Sequence, residues 1–380
     1  MSRCRHVRAF ILAATLVLGA GPFVSSAAVA GAPASPAEWD ALVRAAKGEG
    51  KVEVILSGQM PQKLRRALPA FEKKYGVKVN FHTGGGRKHN ERVLAERRFG
   101  RYTVDAWIGG SSGALLSLIP IGALAPLDPL LVAPEVVDTS LWYRGRHHYS
   151  DPDGKFVFTW GASPSYSVAI NTKLVRPEEI RSYASLLDPR WKGRIVSFNP
   201  AYGSAASSVP LYLNPKIGED WFRRWAREMN VTIVNDARQG AEWLAIGRFA
   251  IGMFGIETQT HRLAQEGFPV RSWLPYPMAE GEILSASAAN IMVLDRAPNP
   301  GAMKLFVNWA LSRDAQQAFI DAGETTDSLR KDVDNRRIEE QYRIRADVNY
   351  YVAFDDPEHI RRKGEVIERL KHIMLEAGHR

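Results

Sequence analysis

The sequence predicts an α/β layered protein of about two domains, and three observations carry that prediction. Short β-rich apolar runs alternate with segments of helical periodicity almost from one end of the chain to the other. Glycine turns mark most of the exchanges between them. The length, 380 residues, suits about two domains at roughly 150 residues each. With 45% hydrophobic and 24% charged residues, the composition excludes disordered and collagen-like classes. A formal charge of +9 is a modest basic excess, suited to small anions more than to a nucleic acid.

The elements follow in order. Ser35-Pro36-Ala37-Glu38 reads as a helix start with a capping box. Trp39, Leu42, Val43 and Ala46 share one face of that helix, and Gly48 and Gly50 end it. Val52 to Leu56 is a strand. Leu64, Leu68, Phe71 and Tyr75 form a buried helical stripe closed by Gly76. Val77, Val79 and Phe81 alternate as a strand. The loop Gly84-Gly85-Gly86 leads into a polar helix, Asn90 to Phe99, and Thr103 to Ile108 is the next strand. Further strands read at Ser167 to Ile170, Ile195 to Phe198, Val231 to Val234, Ala250 to Phe254 and Ile291 to Leu294. Helices read at Ser204 to Leu213, Gly218 to Met229, Gln239 to Ile246, Thr258 to Gln265, Ala302 to Leu311 and Arg313 to Ala322. Trp221, Trp225, Trp243 and Trp309 fall on their apolar faces. Arg330 to Asp356 is charged and weakly periodic, and a last helix runs from Asp356-Pro357 to Gly378.

Residues 1–30 read as an export signal rather than as part of the fold. Arg3, Arg5 and Arg8 precede an apolar run, and Ala28-Val29-Ala30 closes it with small residues. The run is broken by Gly19, Gly21 and Pro22, short of the roughly 20 residues a membrane span needs. Cleavage there also removes Cys4, the only cysteine, leaving no thiol for a disulfide, a metal or a nucleophile.

Three loops carry candidate chemistry. Gly109-Gly110-Ser111-Ser112-Gly113 satisfies G-x-S-x-G between a strand and an apolar helix, the setting of a hydrolase nucleophile elbow. The strand–helix units that fold places between oxyanion loop and elbow are missing, and no Asp-then-His pair stands out downstream. The other reading is a turn exposing backbone N–H groups and two hydroxyls. Thr83 to Asn90, with Arg87 and Lys88, resembles an anion cradle at a helix start, or a tight turn before a solvated basic helix. Tyr202-Gly203-Ser204 follows a strand and opens a helix in the same manner. No H-x-x-x-H or D-x-D-x-D-G spacing and no nucleic-acid signature occurs, so neither a metal, a cofactor nor a nucleic-acid partner is expected, although metal ligands could still assemble from distant loops.

Several segments together resemble the extracellular solute-binding proteins of ATP-binding-cassette importers, in particular the ferric-iron-type branch. They include Phe71-Glu72-Lys73-Lys74-Tyr75-Gly76-Val77, Tyr102-Thr103-Val104-Asp105-Ala106-Trp107, Leu187-Asp188-Pro189-Arg190-Trp191-Lys192-Gly193-Arg194-Ile195 and Ala297-Pro298-Asn299-Pro300-Gly301. The resemblance spans about Val52 to Arg330. It implies a periplasmic binding protein of type 2 fold, with two α/β lobes joined by a hinge and ligand closed between them. Lobe one would hold residues 31–164 with 287–380, and lobe two residues 165–286. It also implies a periplasmic monomer that does no chemistry and hands a small solute to a membrane permease. The iron-binding members carry adjacent tyrosines after the strand matching Ala250 to Phe254. Here that place reads Phe254-Gly255-Ile256-Glu257, and the only Tyr-Tyr is Tyr350-Tyr351. A small anion is therefore expected in place of ferric iron, with iron the alternative ligand.

Strand ends face the crevice in such folds. On that ground the expected ligand contacts are Ser57, Gly85, Arg87, Ser111 and Ser112 from lobe one. Tyr202, Gly203, Ser204 and Glu257 would come from lobe two, with Tyr166 at the hinge. An exported serine hydrolase using Ser111 is the alternative of another class.

Overall fold

The computed structural model describes residues 32–57, 61–202, 207–286 and 288–379. The export-signal segment lies outside the described residues, as do Gly203 and Ser204.

The chain begins in lobe one with α1 (Pro36–Glu49), β1 (Lys51–Ser57), α2 (Pro61–Tyr75), β2 (Lys78–Gly84), α3 (Gly86–Arg98), β3 (Ala106–Gly109), β4 (Leu124–Ala125), α4 (Pro134–Val137) and β5 (Phe158–Thr159). It crosses on β6 (Gly161–Ser165). Lobe two then holds β7 (Val168–Asn171), β8 (Ile195–Phe198), α5 (Ser208–Leu213), α6 (Gly218–Glu228), β9 (Thr232–Val234), α7 (Ala237–Ala245), β10 (Ile251–Met253), α8 (Glu257–Gln265) and β11 (Val270–Arg271). The return runs through β12 (Glu282–Ser285) to β13 (Asn290–Leu294), α9 (Pro300–Ala310), α10 (Arg313–Asp321) and β14 (Asp327–Ser328). The chain ends with β15 (Tyr350–Val352) and α11 (Pro357–Glu376).

Lobe one is built on the sheet β2-β1-β3-β13-β4, with β5 also paired to β13. β1 is parallel to both its neighbours, while β13 enters antiparallel. The sheet is covered on both faces, so β1 reads as a nearly continuous apolar run. Val52, Val54 and Leu56 enter the larger core with α2's Leu64, Leu68, Phe71 and Tyr75, while Ile55 points into a second layer with Trp107. The predicted cap of α1 is present: Glu38 N donates to Ser35 Oγ at 3.4 Å, and Ser35 N to Glu38 Oε2 at 2.8 Å. Lobe two repeats the plan on β11-β7-β10-β8-β9. Trp221, Phe222, Trp225 and Phe254 pack together in its core.

A third sheet, β14-β6-β12-β15, joins the lobes. Two of its strands, β14 and β15, lie between Ala322 and Asp356, where the sequence predicts no element. The sequence reading also assigned the last helix to lobe one. Instead Val366, Leu370, Ile373 and Met374 of α11 are buried in the lobe-two core. Ion pairs reinforce the placement: Arg369 meets Glu219 at 2.6 Å, and Glu376 meets Arg223 at 2.6 Å. The stripe at spacing 4, 3 and 1 needed an apolar partner, and lobe two supplies α5 and α6.

Candidate functional site

Between the lobes lies a cavity of about 220 Å³. Gly110, Ser111 and Ser112 line it from lobe one, Tyr202 from lobe two, and Ser285 from the hinge strand β12. His359 and Lys363 line it from α11.

The lobe-one wall is held in place by a buried polar network. Asn290, at the start of β13 and fully buried, donates from Nδ2 to the carbonyl of Gly109 at 3.0 Å. Its Oδ1 accepts from Thr159 Oγ1 at 2.8 Å and from Ser150 Oγ at 3.1 Å. Ser150 itself faces the cavity. One side chain therefore fixes both the end of β3 and a cavity hydroxyl. Gly109 is obligatory, because a Cβ there would stand 1.9 Å from Ser57 Oγ. Beyond it, Leu115 N donates to Ser111 O at 3.0 Å, closing the turn that presents the two serines.

The lobe-two wall is a tight turn after β8. Asn199 Oδ1 accepts from Ala201 N at 3.0 Å, and Tyr202 N donates to Asn199 O at 3.1 Å. Tyr202 is left partly exposed, its ring edge-on to Phe198.

Of the residues predicted as contacts, Ser111, Ser112 and Tyr202 are brought together on this cavity. Gly203 and Ser204 lie outside the described residues. The remaining five take other roles. Ser57 shares the Ile55 side of β1 by strand alternation, and its buried Oγ accepts from Trp107 Nε1 at 2.8 Å. Gly85 caps α3, exposed. Arg87 points to solvent, 93% exposed, with Glu91 at 3.9 Å as its ion-pair partner. Tyr166 donates its hydroxyl to the carbonyl of Gln341 at 2.7 Å, tying β6 to the C-terminal segment. Glu257 accepts from Gly255 N at 2.6 Å, and burial pushes its carboxyl up to about 7. The physical reason is common to these cases. A strand end faces the crevice as a whole, but helix phase and pleat decide where each side chain goes.

Sequence reasoning missed Ser150, Ser285, His359 and Lys363. His359 is withdrawn from water, and this, with Lys363 beside it, lowers its pKa to about 4. Its imidazole is therefore neutral near pH 7, and its buried Nδ1 has no hydrogen-bond partner among the described residues. For His359 and Lys363 the signal that could have found them is the apolar run Tyr350-Tyr351-Val352-Ala353-Phe354, which marks a third crossing just before the helix.

The tyrosine positions of the iron-type pattern are also resolved. Phe254 stacks on Phe222 inside the lobe-two core. Tyr350 accepts from Arg345 N at 3.3 Å, and Tyr351 donates to Asp356 at 2.5 Å. Neither tyrosine lines the cavity.

Comparison with known proteins places this geometry. Iron uptake protein A1 of Synechocystis sp. is 26% identical over 269 residues, covering 66% of this chain and 68% of that protein. The solved Bordetella ferric binding protein is 17% identical with a TM-score of 0.61, over 85% of this chain and 98% of its own. The periplasmic binding protein AfuA of Actinobacillus pleuropneumoniae, solved with exogenous fructose 6-phosphate, is 18% identical with a TM-score of 0.55, over 86% of this chain and 99% of its own. These structures share the two-lobed periplasmic-binding-protein fold. The model of bacterial extracellular solute-binding proteins matches residues 52–324. The chain belongs to that family, the substrate-binding components of ATP-binding-cassette importers.

Proposed function

We propose that this protein captures a small anionic solute in the inter-lobe cavity, in the periplasm and as a monomer, and delivers it to a membrane permease. One observation carries the reading. Among the described residues lining the cavity none is acidic, whereas Ser111, Ser112, Ser150 and Ser285 bring hydroxyls and the Gly110 turn brings backbone. Hydroxyls and N–H groups pair with an anion without adding a counter-charge, and hinge closure then withdraws the ligand from water. Ser111 serves as a ligand contact and not as a nucleophile. A nucleophile needs a hydrogen-bonded base, and among the described residues no hydrogen bond joins the Ser111 hydroxyl to His359.

The iron reading has one specific support, the likeness to iron uptake protein A1. Against it stand the buried Phe254 and the two tyrosines engaged away from the cavity. Calorimetry with inorganic phosphate, citrate and fructose 6-phosphate, against fructose as the neutral control, tests the proposal. Saturable binding of at least one anion with no heat from fructose is expected. Fructose binding as tightly as its phosphate ester would overturn the anion reading, and turnover of a chromogenic ester lost in Ser111→Ala would overturn the binding role.

A further inference from the structure

We infer that the C-terminal helix α11 is the cationic wall of the ligand cavity, with Lys363 as the residue that selects for negative charge. The inference rests on the cavity being the ligand site. It starts from the charge inventory of the lining. Both lobes contribute hydroxyl, backbone and apolar groups, and Lys363 is the one lysine or arginine among the described lining residues.

Its neighbours leave that charge available. Glu358 and Glu365 both pair with Arg362, at 3.3 and 3.1 Å, and Glu368 pairs with Lys371 at 2.5 Å. Glu376 is taken by Arg223 and Arg227. Among the described residues no carboxylate lies within ion-pair distance of Lys363, although α11 is rich in acids. The helix phase explains the separation. His359, Ile360, Lys363 and Ile367 face the cavity, while Val366, Leu370 and Ile373 face the lobe-two core. The acidic side chains fall on the outer face.

One further feature suits a ligand contact. The helix is rigidly mounted, by its apolar stripe and by Arg369 on Glu219. A lysine on such a helix is positioned more sharply than one on a loop. Charge selection therefore comes from residues beyond the 52–324 span that the family model matches. Lys363 is exposed at the cavity mouth in this state, and a bound anion would cover it.

The test uses the full mature chain and calorimetry with phosphate, citrate and fructose 6-phosphate. Lys363→Gln should weaken the tightest of these by about ten- to a hundredfold, the range of a charge-assisted hydrogen bond. Lys363→Arg should recover most of the loss, and Lys371→Gln, on the same helix but outside the cavity lining, should change nothing. Thermal midpoints equal to wild type show that the variants fold. If wild type binds and Ser112→Ala weakens binding but Lys363→Gln does not, the assignment of α11 fails while the cavity stands. If none of the three anions binds wild type, both readings fall together.

Discussion

Replacing Glu282 by glutamine should flatten the pH dependence of stability. Glu282 lies on β12, the returning hinge strand, and is 9% exposed. Burial pushes its carboxyl from the ordinary 4.5 up to about 7, although the bond from Met278 N at 2.9 Å and the charge of Arg345 pull it down. In the unfolded chain the group titrates near 4.5. Between those values the folded protein keeps a proton that the unfolded chain has released, so stability falls as pH rises. The contribution is complete below pH 4.5 and lost above about 7, and its size is about 3 kcal/mol. Glutamine keeps the acceptor for Met278 N and cannot ionise. Urea unfolding followed by tryptophan fluorescence at a series of pH values gives the comparison. Between pH 4.5 and 8 the wild type should lose about 3 kcal/mol more than Glu282→Gln. Asp327, raised to about 6, and Glu257, raised to about 7, slope the same way. His359, lowered to about 4, slopes oppositely between there and 6.5. All three are present in both proteins and cancel in the difference. Parallel pH curves for the two proteins would refute the reasoning.

Asn290→Ala should cost about 1–3 kcal/mol by removing the side-chain donor to the Gly109 carbonyl and the acceptor that the Ser150 and Thr159 hydroxyls share, which leaves those hydroxyls only each other, and should weaken anion binding as the serine turn loosens; denaturation and calorimetry read the two effects. Arg87→Ala should leave affinity within about twofold, since an exposed i,i+4 pair contributes only about 0.3–0.5 kcal/mol, and a tenfold loss would return that loop to the site. Ferric citrate should give no visible tyrosinate-to-iron absorption band; a coloured, tightly held complex would restore the iron reading.

Much of the frame was legible because apolar spacing alone sets it. The stripe Leu64, Leu68, Phe71 and Tyr75 is buried on α2, and the Ser35–Glu38 cap needs only four adjacent residues. The serine turn was legible for a different reason, since Gly110 to Gly113 must bend between a strand and a helical turn. Individual side-chain directions were not. Ser57 turns inward because Trp107 stands on the same face of the sheet, and that pairing is 50 residues away in sequence. The segment between Ala322 and Asp356 hid its role because side chains, more than repeating structure, satisfy much of its backbone. Asp327 accepts from Ile344 N at 2.8 Å, and Arg343 donates to Ile338 O at 2.6 Å. Such contacts leave no hydrophobic period to read before Tyr350.

The hinge shows what that hidden segment does. Along β15 and the turn after it, Tyr350, Val352 and Phe354 enter the lobe-one core, whereas Tyr351 and Ala353 enter the lobe-two core. β12 divides in the same way, with Leu284 in lobe one and Ile283 in lobe two. Two parallel strands thus present opposite faces to opposite lobes. Asp355 then meets His148 and Arg146 of lobe one, the arginine at 2.9 Å, and one residue later Asp356 caps α11, which is bound to lobe two. A change of angle between the lobes would have to be absorbed along this sheet and at the Asp355–Asp356 junction, because the cores on either side are close-packed. Since α11 is anchored to lobe two, closure of the lobes would carry its cavity face, Lys363 included, together with Tyr202 toward the Ser111–Ser112 turn. A hinge strand that continues into the cavity wall couples the position of that wall to the angle between the lobes.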